Sequence, residues 1–143
     1  MDRWMQASPL FRERPRSVQV VLGLVVPTAF GALAGVFLGI SAGVYWAIGL
    51  IAFVGGIHAG FEHADARDGA RRGLVGGTLY GTGLLLGHAI AGTDAKVSLP
   101  DFEPILVLFT AIIGVLLGAL GGRIRGSAMQ RRGVPAPPTR RAA

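Results

Sequence analysis

The residues best spaced for chemistry are His58, Glu62 and Asp65, which follow one another at steps of four and three near the middle of the chain. On a helix those steps put side chains on one face. A His-Glu-Asp trio can exchange a proton or ligate a hard divalent cation, and an ionisable residue inside an apolar span is by default a functional candidate. The competing reading is charge balance. His58 sits one turn from the end of an apolar run and reaches Glu62, while Glu62, Asp65 and Asp68 offset Arg67, Arg71 and Arg72. Charges at helix ends extend into the headgroup layer, so this second reading takes precedence over the first.

Other constellations fall short of a reaction. His58-xxx-Glu62-His63 is similar to the inverted zinc-protease motif, but histidines five apart are rotated by about 140° and share no face. Asp65-xx-Asp68-Gly69 resembles the opening of the metal-binding motif of CDP-alcohol phosphotransferases. That motif needs a second aspartate pair on the next helix, and no aspartate lies between Gly69 and Gly92. There is no cysteine, and Ser8, Ser17, Ser41, Ser98 and Ser127 all lie outside the apolar runs, so no thiol or intramembrane serine nucleophile is on offer. His88 falls roughly 22 Å along its helix from the charged stretch. It cannot share a site with His58, and a hydrogen bond to backbone, Thr93 or Asp94 is its expected role. The expectation is a non-enzyme with no metal and no cofactor.

The elements that carry these residues are apolar. Only 15% of the chain is charged and 51% is hydrophobic, with a mean hydropathy of +0.53; a soluble domain carries about 25% charged residues. Four runs are long enough to cross a hydrocarbon core of about 30 Å: residues 18–40, 44–61, 73–91 and 105–122. Pro27 kinks the first, and Pro104 stands at the start of the fourth. The first run continues past the Ala32-Leu33-Ala34 triplet, so a cleaved leader is not expected. Residues 1–17 read as a basic tail whose aromatics touch the headgroups, with a short surface-binding segment as the alternative. Residues 123–143 read as a basic, Pro-rich, disordered tail. Four arginines precede the first span, three lie in the charged turn and six follow the fourth span, whereas Lys96 alone lies on the opposite side. The positive-inside rule then places both termini in the cytoplasm. It also accounts for the net charge of +6 without nucleic acid as a partner.

Small residues recur four apart on every span: Gly31, Gly35 and Gly39; Gly56 and Gly60; Gly73, Gly77 and Gly81; Gly114, Gly118 and Gly122. Lipid is as apolar as leucine, so membrane helices associate through close backbone approach, which such stripes permit. Over residues 18–126 the chain resembles uncharacterised small glycine-zipper four-helix membrane proteins of bacteria, a resemblance of general features that transfers no site. Small multidrug exporters differ in placing a glutamate in the first span. Fluoride channels differ in inserting both ways round. The expectation is an all-α, integral membrane four-helix bundle of a bacterial inner membrane, with glycine-zipper packing. Its partners are the lipid bilayer and, where stripes pair between chains, a second copy. Its role is structural or in assembly. The alternative is a homo-oligomeric channel or transporter for protons or small cations that uses His58 and Glu62.

Overall fold

The computed structural model describes residues 9–100 and 104–131. Residues 1–8, the 101–103 stretch of the long loop and residues 132–143 of the tail expected to be disordered from residue 123 lie outside the described residues. Within them the chain is all-helical, with four helices long and apolar enough to span a membrane. These are α1 (Arg16–Ile40), α2 (Ala42–Phe61), α3 (Ala66–Ala91) and α4 (Ile105–Arg131).

Local chemistry sets the boundaries. Ser41, in extended conformation, is the whole α1–α2 turn; its Oγ accepts the Val44 N–H at 3.4 Å and so caps α2. Asp65 does the same for α3, taking the Asp68 N–H at 2.8 Å. This cap lets α3 begin at Ala66, so the expected eleven-residue charged turn contracts to Glu62–Asp65 and the arginines Arg67, Arg71 and Arg72 ride on helix. Gly92 ends α3 in the left-handed region (φ 61°), which a Cβ would disfavour, and its N–H donates to the His88 carbonyl at 3.1 Å. Nine residues beyond the expected end at Gly122, α4 is still helical.

Proline shapes α1. Pro27 has no N–H, so the Gly23 carbonyl, its α-helical partner, and the Leu22 carbonyl, its partner in an i→i+5 turn, both lose an intrahelical donor. The helix is a π-turn over Val21–Val25 at this point, and the two carbonyls find a donor elsewhere, as described below.

The bundle is built around α3, which packs along α1 on one side and α4 on the other. Its backbone meets α1 where Gly83 faces Thr28 and Gly87 faces Ala32, and α1 answers with Gly31 against Tyr80 and Gly35 against Leu84. The two helices run parallel. Toward α4 the pairs are Gly69 with Gly118, Gly73 with Gly114 and Gly77 with Thr110, which makes that seam antiparallel. At these places a Cβ would meet backbone rather than a movable side chain, so only glycine allows the approach. Three helices meet at Gly118, because Gly60 of α2 closes on it from a third direction.

Helix α2 is held at its two ends. Near its start, Ile48 joins Ala34, Leu38 and Leu84 in the buried core, with Tyr45, Phe37, Val97 and Leu99 around it. The loop after α3 folds over this end through the Lys96 N–H on the Leu38 carbonyl at 2.9 Å. Near its other end, α2 leans on α4, where Gly121 meets the Ile57 carbonyl and Gly60 meets Gly118. Between these anchorages α2 touches α4 where Gly56 meets the Leu117 side chain, and is otherwise open at its small residues. Gly49 and Gly55 have no heavy atom within 4 Å of where a Cβ would sit.

Candidate functional site: a charged hairpin beneath an apolar cavity

His58, Glu62, His63, Asp65, Arg67, Asp68, Arg71 and Arg72 all lie at the α2–α3 hairpin. Helix α2 stops at Phe61, where the Phe61 carbonyl is taken by the Arg125 guanidinium at 3.1 Å, with the same group 5.6 Å from the Phe61 ring. The next residue, Glu62, leaves helical geometry (ψ 1°). This breaks the premise of the His58–Glu62–Asp65 face, which required the helix to continue. His58 and Glu62 remain neighbours, Nε2 to Oε1 at 4.0 Å, with His58 largely exposed and Glu62 buried. Asp65 is spent as the α3 cap. Among the described residues no group of three or more acids and histidines is placed to hold a metal ion.

The partners of the hairpin come from the segment before α1. Instead of trailing as a tail, residues 10–14 lie across it. A short 3-10 turn, Phe11–Glu13, is closed by Glu13 accepting the Leu10 N–H at 2.8 Å. The Phe11 N–H donates to the Glu62 carbonyl at 3.0 Å. Arg14 donates to Glu62 Oε1 at 2.5 Å, and Arg12 to Asp68 Oδ2 at 2.8 Å. Arg71 shares Asp68 at 3.5 Å. Gln19, one turn into α1, donates to the Arg14 carbonyl at 2.8 Å and so fixes the segment to the helix that follows it.

Phe11 is the anchor of this strap. Its ring stacks on His63 (centroids 5.5 Å apart, planes 25° from parallel), and the Arg72 guanidinium lies 5.4 Å from its centroid. His63 is therefore the buried histidine of the hairpin, and His58 the exposed one. Nδ1 of His63 lies 3.0 Å from the Ala59 carbonyl. A carbonyl can only accept, so this nitrogen carries the proton. Burial pushes the His63 pKa below the ordinary 6.5; the Ala59 bond opposes that shift, and the nearby Arg72 charge reinforces it.

Arg72 resolves the defect in α1. Its Nη2 donates to the Leu22 carbonyl and its Nη1 to the Gly23 carbonyl at 3.4 Å. These are the two acceptors that Pro27 and the π-turn leave without a helical donor. A guanidinium fork is suited to two adjacent carbonyls, and broken backbone at membrane depth is tolerated where another helix supplies the missing bonds.

Above the hairpin the bundle is hollow. A cavity of about 630 Å³, open on one side, is lined by residues of all four helices. Its α3 wall is Gly73, Gly76 and Gly77, residues without side chains to fill the space. Its far end is bounded by Tyr45, Trp46 and Tyr80, and its near end by His58, Glu62 and Arg72. Leu22, Val26, Phe30, Leu50, Phe53 and Leu117 make the remainder apolar. His88 lies away from it. Its Nδ1 is buried with no hydrogen-bond partner, so the bond expected to Thr93, Asp94 or backbone is not made through that atom.

Phe11, Arg14, His63 and Arg72 acquire their roles only from the fold. A signal existed for Arg72, since a proline inside a span demands an external donor and this arginine stands immediately before the third run. For Phe11 and His63 there was none, because their contact joins residues 52 apart in sequence with no periodic relation. Comparison with known proteins finds no family model, no curated protein and no solved structure that matches this chain.

Proposed function

We propose that this chain is a non-catalytic, multi-pass component of a bacterial inner membrane, with both termini cytoplasmic, whose role is structural: it holds helices in a fixed assembly. The observation that carries this reading is the employment of its ionisable groups. Glu62 is paired with Arg14, Asp68 with Arg12 and Arg71, Asp65 caps a helix, and Arg72 repairs the backbone of α1. Each closes the fold, and a buried carboxylate already matched at 2.5 Å is poorly placed to relay protons. The orientation is supported by charge: Arg12, Arg14, Arg67, Arg71, Arg123 and Arg125 lie at the hairpin end, against Lys96 at the loop end.

The chain has no cysteine, so single cysteines report without background. Ser98→Cys and Arg67→Cys, both at exposed positions, are treated with a membrane-impermeant maleimide on intact spheroplasts. Ser98→Cys should label at once and Arg67→Cys only after lysis; the reverse pattern, or labelling of both, overturns the orientation. Purified protein in liposomes should pass no more protons than empty liposomes. Flux above that background, abolished by His58→Ala, would replace the structural role with the conducting one.

A further inference from the structure

We propose that the cavity is a lipid site: it takes one acyl chain of an anionic phospholipid from the hairpin-side leaflet, with the acidic headgroup held at Arg72 and His58. This deepens the structural role proposed above and borrows its orientation only to name the leaflet.

Three observations select this occupant. The first is the lining. The space is about 630 Å³, within the roughly 300–1,000 Å³ of small-molecule sites, and its walls are glycine backbone and hydrocarbon apart from its ends. Water needs several polar partners to fill such a volume. Left empty, the cavity forfeits dispersion contacts along all four helices. Inside a bilayer the abundant filler is an acyl chain.

The second is access. Helix α2 is pinned to the α1–α3 core through Ile48 at one end and to α4 through Gly60 and Gly121 at the other. It therefore crosses the bundle diagonally. Val26 of α1 and Leu50 and Phe53 of α2 line the cavity and keep a large part of their surface exposed, so the cavity is open to the surroundings of the bundle along its wall. A chain can enter sideways from the membrane, without passage through either aqueous end.

The third is charge. Glu62 is neutralised by Arg14. Arg72 has no carboxylate within 4 Å among the described residues, and its Nε is buried with no hydrogen-bond partner. Its guanidinium is thus positive, anchored by two carbonyls and short of one acceptor. His58, which is exposed and lies 4.0 Å from Glu62, lines the same end of the cavity. The rim carries a net positive charge, which complements a phosphodiester and disfavours a zwitterionic head with its own cation.

The test is native mass spectrometry of the full chain in detergent, incubated with equimolar dioleoyl phosphatidylglycerol and dioleoyl phosphatidylcholine. Wild type should retain one phosphatidylglycerol per chain, favoured about tenfold over phosphatidylcholine, as a charge-assisted bond implies. Arg72→Gln, which keeps one donor for the α1 carbonyls, should retain both lipids equally. Gly49→Phe places a ring in the cavity from a position with no heavy atom within 4 Å, and should retain neither while melting like wild type. Equal retention of the two lipids by wild type, an unchanged preference in Arg72→Gln, or undiminished binding in Gly49→Phe would each overturn the proposal. So would a lipid-free dimer that covers the opening. Retention in detergent is blind to sidedness, so its failure is separable from a failure of the cysteine labelling.

Discussion

Replacing Gly118 by alanine tests the packing where three helices meet. A Cβ at Gly118 would run into the Gly69 carbonyl oxygen and would lie 2.9 Å from the Gly69 carbonyl carbon and 3.1 Å from the Gly73 Cα. Ordinary carbon contacts are about 3.5–4.0 Å, and a gap of 0.5–1 Å already forfeits roughly a quarter to a half of each dispersion well. All three neighbouring atoms are backbone, so none can rotate away. The α3–α4 seam must open, and the Gly60 approach from α2 loosens with it. Overpacking of this kind costs about 1–3 kcal/mol, and with two seams touching one node we expect about 2 kcal/mol. Gly55→Ala is the matched control. It sits in the middle of α2 with no heavy atom within 4 Å of its Cβ position, so only helix propensity acts, favouring alanine by up to about 1 kcal/mol. Unfolding in mixed micelles by titration with sodium dodecyl sulfate, followed by far-UV circular dichroism, should separate the two variants by about 2 kcal/mol, the packing term alone, because the gain in helix propensity is common to both substitutions. A separation below about 0.5 kcal/mol, the scatter of inconsequential substitutions, would refute the claim that backbone approach holds this bundle.

Two further outcomes follow from the hairpin. Arg14→Ala leaves Glu62, whose side chain is 7% exposed, without its partner, and should cost about 3 kcal/mol. Glu62→Gln in the same chain should recover most of that loss, whereas Arg12→Ala, at 77% exposure, should cost under about 0.5 kcal/mol; a double-mutant cycle that finds no coupling between Arg14 and Glu62 sinks the assignment. His63 sets a pH dependence. Its folded pKa lies below the unfolded 6.5, so its neutral ring contributes stability in full above about pH 6.5. That contribution is lost as the pH falls below 6.5, where the unfolded chain takes up the proton first. Unfolding curves at about pH 7.5 and pH 5 should diverge in wild type and converge in His63→Phe; equal pH sensitivity in the two proteins would rule His63 out as the cause.

The four apolar helices were legible because hydropathy over some twenty residues averages out local detail. Their ends were less so. The run of charges after Glu62 looked like loop, but Asp65 is a strong N-cap, and once it caps, Arg67, Arg71 and Arg72 are ordinary exposed or half-buried helix residues. The same cap dismantled the His58–Glu62–Asp65 face, since a residue cannot both begin one helix and extend the previous one. Pro27 was read as a kink. What it does to two carbonyls, and the arginine that answers, depends on α1 and α3 running side by side, which no local pattern encodes. The strap of residues 10–14 lay furthest from reach. Its charges and its single aromatic read equally well as a headgroup-seeking tail, and only the position of Glu62, Asp68 and His63 beneath it distinguishes the two.

The bond from Arg72 to the π-turn also orders events at synthesis. Helix α1 leaves the ribosome with Leu22 and Gly23 carbonyls that its own sequence cannot satisfy, and their donor lies some fifty residues downstream. Until α3 arrives, the α1–α2 pair has to keep that turn within reach of headgroups or water. The third helix thus completes the first, and a ribosome stalled before residue 72 would display a half-made protein with a recognisable flaw.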